Sequence, residues 1–231
     1  MQGRVVVITG GTGALGSAIA HGALEGGATA IVTYRDARDL GALRDRVPAG
    51  ARDRLDGAQA DLTDGASVER LVAEVAARHG RLDVLVNAVG GFAGGDLLGT
   101  DERAWDAMLD LNLRSVYLCC RAALPTMVGA GRGRIVNVAS RSVVPPSAGF
   151  IAYTVAKSGV IALTQALAQE VRRRGVTVNA VLPSTMDTEA NRRSMPNADR
   201  SGWVAPESVA RAILFLASDA AADVTGTLLA V

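Results

Sequence analysis

The chain is 231 residues long, 49% apolar and 20% charged, with a formal net charge of +1. That length suits one α/β domain with a full core, and the near-neutral charge supplies no field for nucleic acid or an anionic membrane. The apolar run Val5-Val6-Val7-Ile8 is too short for a signal-peptide core, and no stretch approaches the roughly 20 apolar residues of a membrane span, so the expected location is the cytoplasm. Cys119 and Cys120 are adjacent and cannot form a disulfide framework, and His21 and His79 lie apart from any acidic or thiol cluster. No metal is expected.

Strand and helix signals alternate from end to end. Strands are predicted at Arg4–Thr9, Thr29–Tyr34, Leu55–Ala60, Leu82–Asn87, Gly133–Ala139, Val176–Leu182 and Thr227–Val231. Helical periodicity covers Ala14–Gly26, Leu40–Val47, Gly65–His79, Asp101–Met127, Phe150–Arg174 and Pro206–Ala217. The strands read as nearly continuous Val, Ile and Leu runs, as strands buried on both faces should. Alternation of this kind predicts a parallel sheet with helices on both faces. Pro183–Trp203 has no clear period.

The first strand runs into Thr9-Gly10-Gly11-Thr12-Gly13-Ala14-Leu15-Gly16, and a helix follows. Glycines at such a turn let the backbone approach a pyrophosphate at a helix N-terminus, where free N–H groups and the dipole favour anions. A tight turn alone would need one glycine rather than four.

The most informative stretch is Ser140 to Lys157. Tyr153 and Lys157 stand four apart on a predicted helix, so the phenol and the ammonium share a face. A nearby cation favours the phenolate, so the expected Tyr153 pKa lies below its ordinary value of roughly 10. Such a group serves as a general acid or base. Of the 24 basic residues, Lys157 is the only lysine. An ammonium is a compact point charge and a guanidinium a planar fork, so a site that needs the first cannot easily use the second.

These pieces together resemble the short-chain dehydrogenase/reductase family over essentially the whole chain. The matches are Thr9-Gly10 with Ala14-Leu15-Gly16, Asp61-Leu62-Thr63, Asn87-Ala88-Val89-Gly90, Asn112, Ser140, Tyr153 with Lys157, and Asn179-Ala180-Val181-Leu182-Pro183. Ser140 precedes Tyr153 by the thirteen residues usual in that family. The departures are Ala14 in place of a second glycine, Ala88-Val89 in place of Asn-Ala, and Ser184 after Pro183 in place of Gly.

The resemblance implies a Rossmann-like, doubly wound, seven-stranded parallel sheet in a single domain over 1–231, with a substrate lid at about 184–204. It implies catalysis by Asn112, Ser140, Tyr153 and Lys157. Tyr153 would protonate a substrate carbonyl and Ser140 would position that oxygen. Lys157 would lower the tyrosine pKa and hold the nicotinamide ribose, and Asn112 would hold a relaying water. The implied cofactor contacts are Gly10, Thr12, Gly13, Leu15 and Gly16 at the pyrophosphate, Asp61 and Leu62 at adenine, and Asn87, Ala88 and Gly90 at the adenosine ribose. Pro183, Met186 and Thr188 would surround the nicotinamide end. Asp61 has a second reading, as the cap of the helix that starts near Gly65.

The second strand ends Tyr34-Arg35-Asp36. Tyr34 takes the position of the family's discriminating acid, and Arg35 can pair with a 2′-phosphate, which favours NADP(H). Asp36 keeps NAD(H) open. The Gly90-Gly91-Phe92-Ala93-Gly94-Gly95 loop follows the fourth strand, which makes Phe92, beside Ser140, Tyr153 and Ser184, a candidate substrate contact. That loop and the short lid are also similar to dihydropteridine reductase, so reduction of a quinonoid pterin is an alternative to 3-oxoacyl-type carbonyl reduction. A non-catalytic dinucleotide-binding regulator is a third reading, opposed by the intact catalytic set. By resemblance the long helices pair into a homodimer, and two dimers into a homotetramer, acting on a small carbonyl or alcohol.

Overall fold

The computed structural model describes residues 1–231. Seven strands alternate with helices: β1 (Val5–Thr9), α1 (Ala14–Glu25), β2 (Thr29–Tyr34), α2 (Ala37–Arg46), β3 (Leu55–Gln59), α3 (Gly65–His79) and β4 (Val84–Asn87). The second half continues with α4 (Glu102–Leu109), α5 (Ser115–Gly129), β5 (Gly133–Val138), α6 (Ile151–Val171), β6 (Val176–Leu182), α7 (Glu189–Ser194), α8 (Pro206–Leu216) and β7 (Leu228–Ala230). The strands form one parallel sheet in the order β3-β2-β1-β4-β5-β6-β7. Chain direction across the sheet reverses between β1 and β4, and ligands of open α/β sheets bind at the carboxyl edge of such a point.

Side-chain alternation along each strand supplies two cores. Val6, Ile8, Ala30 and Val32 face α1 and α8, with Ile19, Leu24 and Ile213 fully buried against them. Val5, Val7 and Ile31 point to the opposite layer, where α3, α5 and α6 contribute Leu71, Val116, Met127 and Leu167. Cys119 and Cys120 are buried there as free thiols, and burial raises both pKa values, that of Cys120 to about 12.

Three element boundaries differ from expectation for identifiable reasons. Helix α2 begins at Ala37 because Asp36 caps it, its side chain accepting from Arg38 N. The long helix expected over Asp101–Met127 is interrupted by a π turn at Asp110–Arg114 and runs on to Gly129. Within the aperiodic lid segment Thr188 caps the short helix α7. Over its most apolar 18 residues α6 has a mean hydropathy of 1.3, so by length and composition alone it could cross a membrane. Its apolar side chains are spent on the sheet: Ala156, Val160, Leu167, Ala168 and Val171 are buried in the fold.

Candidate active site

The carboxyl ends of β1, β4, β5 and β6 converge on the start of α6. The N-cap of α6, Phe150, makes no side-chain capping bond. The free helical N–H of Ile151 donates instead to the Gly95 carbonyl at 3.0 Å, and Gly95 N donates to Gly149 O at 2.8 Å. The loop after β4 therefore caps α6 and is held against it.

Lys157 is buried, and its Nζ donates to the Val138 carbonyl at 2.8 Å. Burial lowers its pKa to about 8. A Cβ on Gly90 would lie 3.3 Å from that Nζ and 2.9 Å from Asn112 Oδ1, so no side chain fits where β4 ends. Asn112 lies inside the π turn, a distortion frequent at functional sites. Its Oδ1 accepts from Gly91 N at 3.1 Å and its Nδ2 donates to Met108 O at 3.1 Å. The side chain thus ties the loop to the helix, and its Oδ1 keeps a second lone pair for a further donor.

Tyr153 stands in the first turn of α6. Its pKa is raised, not lowered: burial disfavours the phenolate, and the nearby Ser140 hydroxyl offsets this only in part. The depression expected from Lys157 is absent, and desolvation of the phenol is the largest cause of its shift. Ser140 Oγ lies 2.9 Å from Ser142 Oγ and accepts from Ser142 N at 3.3 Å. Ser142 was not singled out from sequence, although the Ser-x-Ser spacing was visible.

At the dinucleotide end, Gly10 has φ +64, and a Cβ on Gly16 would collide with the Gly10 carbonyl oxygen. Helix α1 begins with neither a side-chain cap nor an acidic residue in its first turn. Its N–H groups are left for an anion, so this end fits a dinucleotide pyrophosphate. Thr9, part of the sequence motif, fastens the adjacent strand end, its Oγ1 accepting from Ala88 N at 3.0 Å and Val89 N at 3.1 Å. The Asn87 side chain donates from Nδ2 to Asn137 Oδ1 at 2.9 Å, and Asn137 in turn donates to Thr164 Oγ1 at 2.9 Å, while Asn87 Oδ1 is buried with no partner of its own. The cap of α3 is Asp64, which bonds Ala66 N and Ser67 N, while Asp61 is exposed and accepts from Thr63.

The rim consists of three segments. Phe92 packs edge-on to Tyr153 with ring centroids 5.1 Å apart, and Phe150 completes the cluster at 5.6 Å from Phe92. Met186 pairs with Val204 across the base of the lid, and Thr188 Oγ1 accepts from Asn191 N. Pro183 O accepts from Arg141 N at 3.0 Å, and Ser184 N donates to Val231 O at 2.7 Å. Leu15 and Leu62 are buried beneath the nucleotide end and Thr12 is half-buried. Tyr34 is half-buried and Arg35 exposed at the end of β2.

A sheet of this order, a glycine turn at its switch point and a Tyr–Lys pair beside Ser140 define a nucleotide-dependent oxidoreductase architecture. Residues 4–199 match the short chain dehydrogenase family model, and the chain belongs to that family. It is 36% identical over 237 residues to the hydroxy(phenyl)methylsuccinyl-CoA dehydrogenase subunit BbsD of Thauera aromatica, covering 99% of this chain and 95% of the relative. It is 31% identical over 234 residues to the 3-oxoacyl-acyl-carrier-protein reductase FabG of Escherichia coli (strain K12), covering 97% and 94%. A solved short-chain dehydrogenase/reductase from Burkholderia xenovorans superimposes with a TM-score of 0.93 at 36% identity, over 100% of this chain and 95% of that one. The protein is an oxidoreductase of this family, whose members use NAD(P)(H).

Proposed function

We propose that the protein reduces a ketone to a secondary alcohol with NADP(H), using Tyr153 as the acid. The observation that carries this reading is the buried Lys157 ammonium, anchored to Val138 and walled by Gly90 and Asn112, one helical turn from Tyr153. The relatives' names share a carbinol or a ketone, in 3-oxoacyl and hydroxy(phenyl)methyl groups.

The nicotinamide supplies a hydride when bound. Gly10, Thr12, Gly13, Leu15 and Gly16 would hold the pyrophosphate through backbone N–H groups, and Asp61 and Leu62 would border the adenine. Lys157 would hold ribose hydroxyls with the donors that Val138 leaves free. Pro183, Met186 and Thr188 would meet the nicotinamide end. Tyr153 would deliver its phenolic proton to the substrate oxygen as general acid. Ser140 positions the substrate oxygen, and the developing charge there is met by donors already in place.

The preference for NADP(H) rests on the division of labour at the end of β2. Asp36 is committed to capping α2 and to an ion pair with Arg38 at 2.5 Å. Exposed Arg35 is left to meet a 2′-phosphate. The test is consumption of NADPH against NADH with a panel of ketones and a quinonoid pterin. Faster turnover of ketones with NADPH is expected, and turnover of the pterin alone would replace this reading.

For assembly, α5 and α6 leave Tyr117 and Val155 exposed on the face away from the sheet. That supports a dimer through these helices and a tetramer of two dimers, to be checked by light scattering at micromolar protein.

A further inference from the structure

We propose that the rim selects a ketone whose carbonyl carbon carries an aromatic ring, with Phe92 and Phe150 as the residues that receive the ring. The proposal rests on the reductase reading above and narrows its substrate class.

The chain has only eight aromatic residues, three Phe, three Tyr and two Trp. Phe92, Phe150 and Tyr153 form one cluster, with centroid separations of 5.6, 5.1 and 6.2 Å and interplanar angles of 59°, 72° and 71°. Tilted rings at these distances leave faces and edges open to a fourth, since aromatic pairs favour offset or edge-to-face contact at about 4.5–7 Å. Phe92 lies 5.1 Å from the Tyr153 ring, so a ring bonded directly to a carbonyl at the Tyr153 hydroxyl would be brought toward this cluster.

Phe92 is 65% exposed, although its ring would be better buried. The surrounding rim is apolar as well. Eight large apolar side chains are exposed on the molecule. Five of them, Phe92, Leu97, Leu98, Val144 and Met195, lie on the three segments that carry the site: the loop after β4, the loop after β5 and the lid. Apolar surface concentrated on the segments that follow the carboxyl edge of the sheet marks a ligand site rather than chance exposure. The lid's cations are meanwhile engaged locally. Arg192 pairs with Asp187 at 2.6 Å, Arg193 with Glu189 at 2.6 Å, and Arg200 lies over Trp203. These lid cations are therefore already matched by local partners.

An aliphatic chain would gain from this rim only by burial, whereas a ring gains the quadrupole contact too, worth roughly two- to tenfold in affinity per ring pair. The reaction is the one proposed above: the carbonyl carbon gains a hydride, its oxygen gains the Tyr153 proton, and an aryl ketone leaves as a benzylic alcohol with the cofactor oxidised.

The test compares acetophenone with cyclohexyl methyl ketone, which differ in the ring and little in size, on wild type, Phe92→Leu, Phe150→Leu and the double variant. Leucine keeps the apolar bulk and removes the ring. Two readouts are taken: kcat/KM with NADPH, and ketone binding by saturation-transfer NMR with oxidised cofactor present. The ratio of phenyl to cyclohexyl ketone should fall about tenfold in the double variant for both readouts. Using this ratio cancels the intrinsic reactivity of the two ketones. Turnover with no change in the ratio overturns the ring proposal and leaves the reductase reading standing. Ring-selective binding that the variants abolish, with no turnover of any ketone, upholds the ring site and overturns the reductase reading.

Discussion

At the floor of the site, Lys157, Asn112 and Ser140 each hold a hydrogen bond to the protein and sit on packed elements. At the rim, Phe92 and Met195 are exposed and joined to the fold by loops. The floor carries a cost, a lone ammonium held away from water, of the kind that gathers at functional sites. The rim carries exposed apolar surface. On the function proposed above, the floor would set which reaction proceeds and the rim which molecule undergoes it.

The strongest way to break this division is Tyr153→Phe, which removes one oxygen atom from the floor. Turnover should fall about 10²- to 10⁴-fold while cofactor affinity is kept. Single-turnover kinetics beside cofactor fluorescence check this, and wild-type turnover in the variant would sink the proposed chemistry. Next comes Gly90→Ala. The added methyl group would sit against Asn112 Oδ1 and Lys157 Nζ, and the displacement should cost about 10- to 100-fold in kcat. Wild-type kcat in Gly90→Ala would show that the walls around Lys157 give way freely.

Arg35→Ala probes the cofactor end. NADPH affinity should drop about 10- to 100-fold and NADH affinity should stay level, as measured by titration of protein fluorescence. Equal losses would shift the choice of cofactor to Asp36.

The smallest effect is on stability and has the opposite sign. The folded pKa of Lys157 is about 8 and its ordinary value is 10.5. Below pH 8 both states hold the proton, and the whole cost of burying it opposes folding. Between those values the folded protein sheds the proton while the unfolded chain keeps it, so this group adds stability as pH rises. Lys157→Met should therefore stabilise the cofactor-free protein by about 1–2 kcal/mol at pH 7, after allowing for the bond lost at Val138. Calorimetry should show a higher Tm for the inactive variant and a difference from wild type that shrinks toward pH 10.5. A Tm below wild type throughout would show that the Val138 bond outweighs the desolvation.

The strands, the glycine turn at Gly10–Gly16 and the Tyr153–Lys157 pair were legible in the sequence because each is written in local periodicity or short spacing. An unbroken Val and Ile run reads as a buried strand, and i to i+4 on a helix places two side chains together wherever the helix goes. Which partner each polar group takes was not legible. Lys157 meets Val138, 19 residues away, and Asn87 turns to Asn137, 50 residues away, because parallel pairing of β4, β5 and α6 brings them together. The same packing excludes water from Tyr153 and so reverses the expected direction of its pKa shift. Asp36 caps α2, which starts one residue after it, a role that its sequence position alone did not show. Phe150 entered the site because the Gly95 loop returns to cap α6 beside it. Burial and long-range pairing depend on the whole fold, and they decided how the residues visible in the sequence are used.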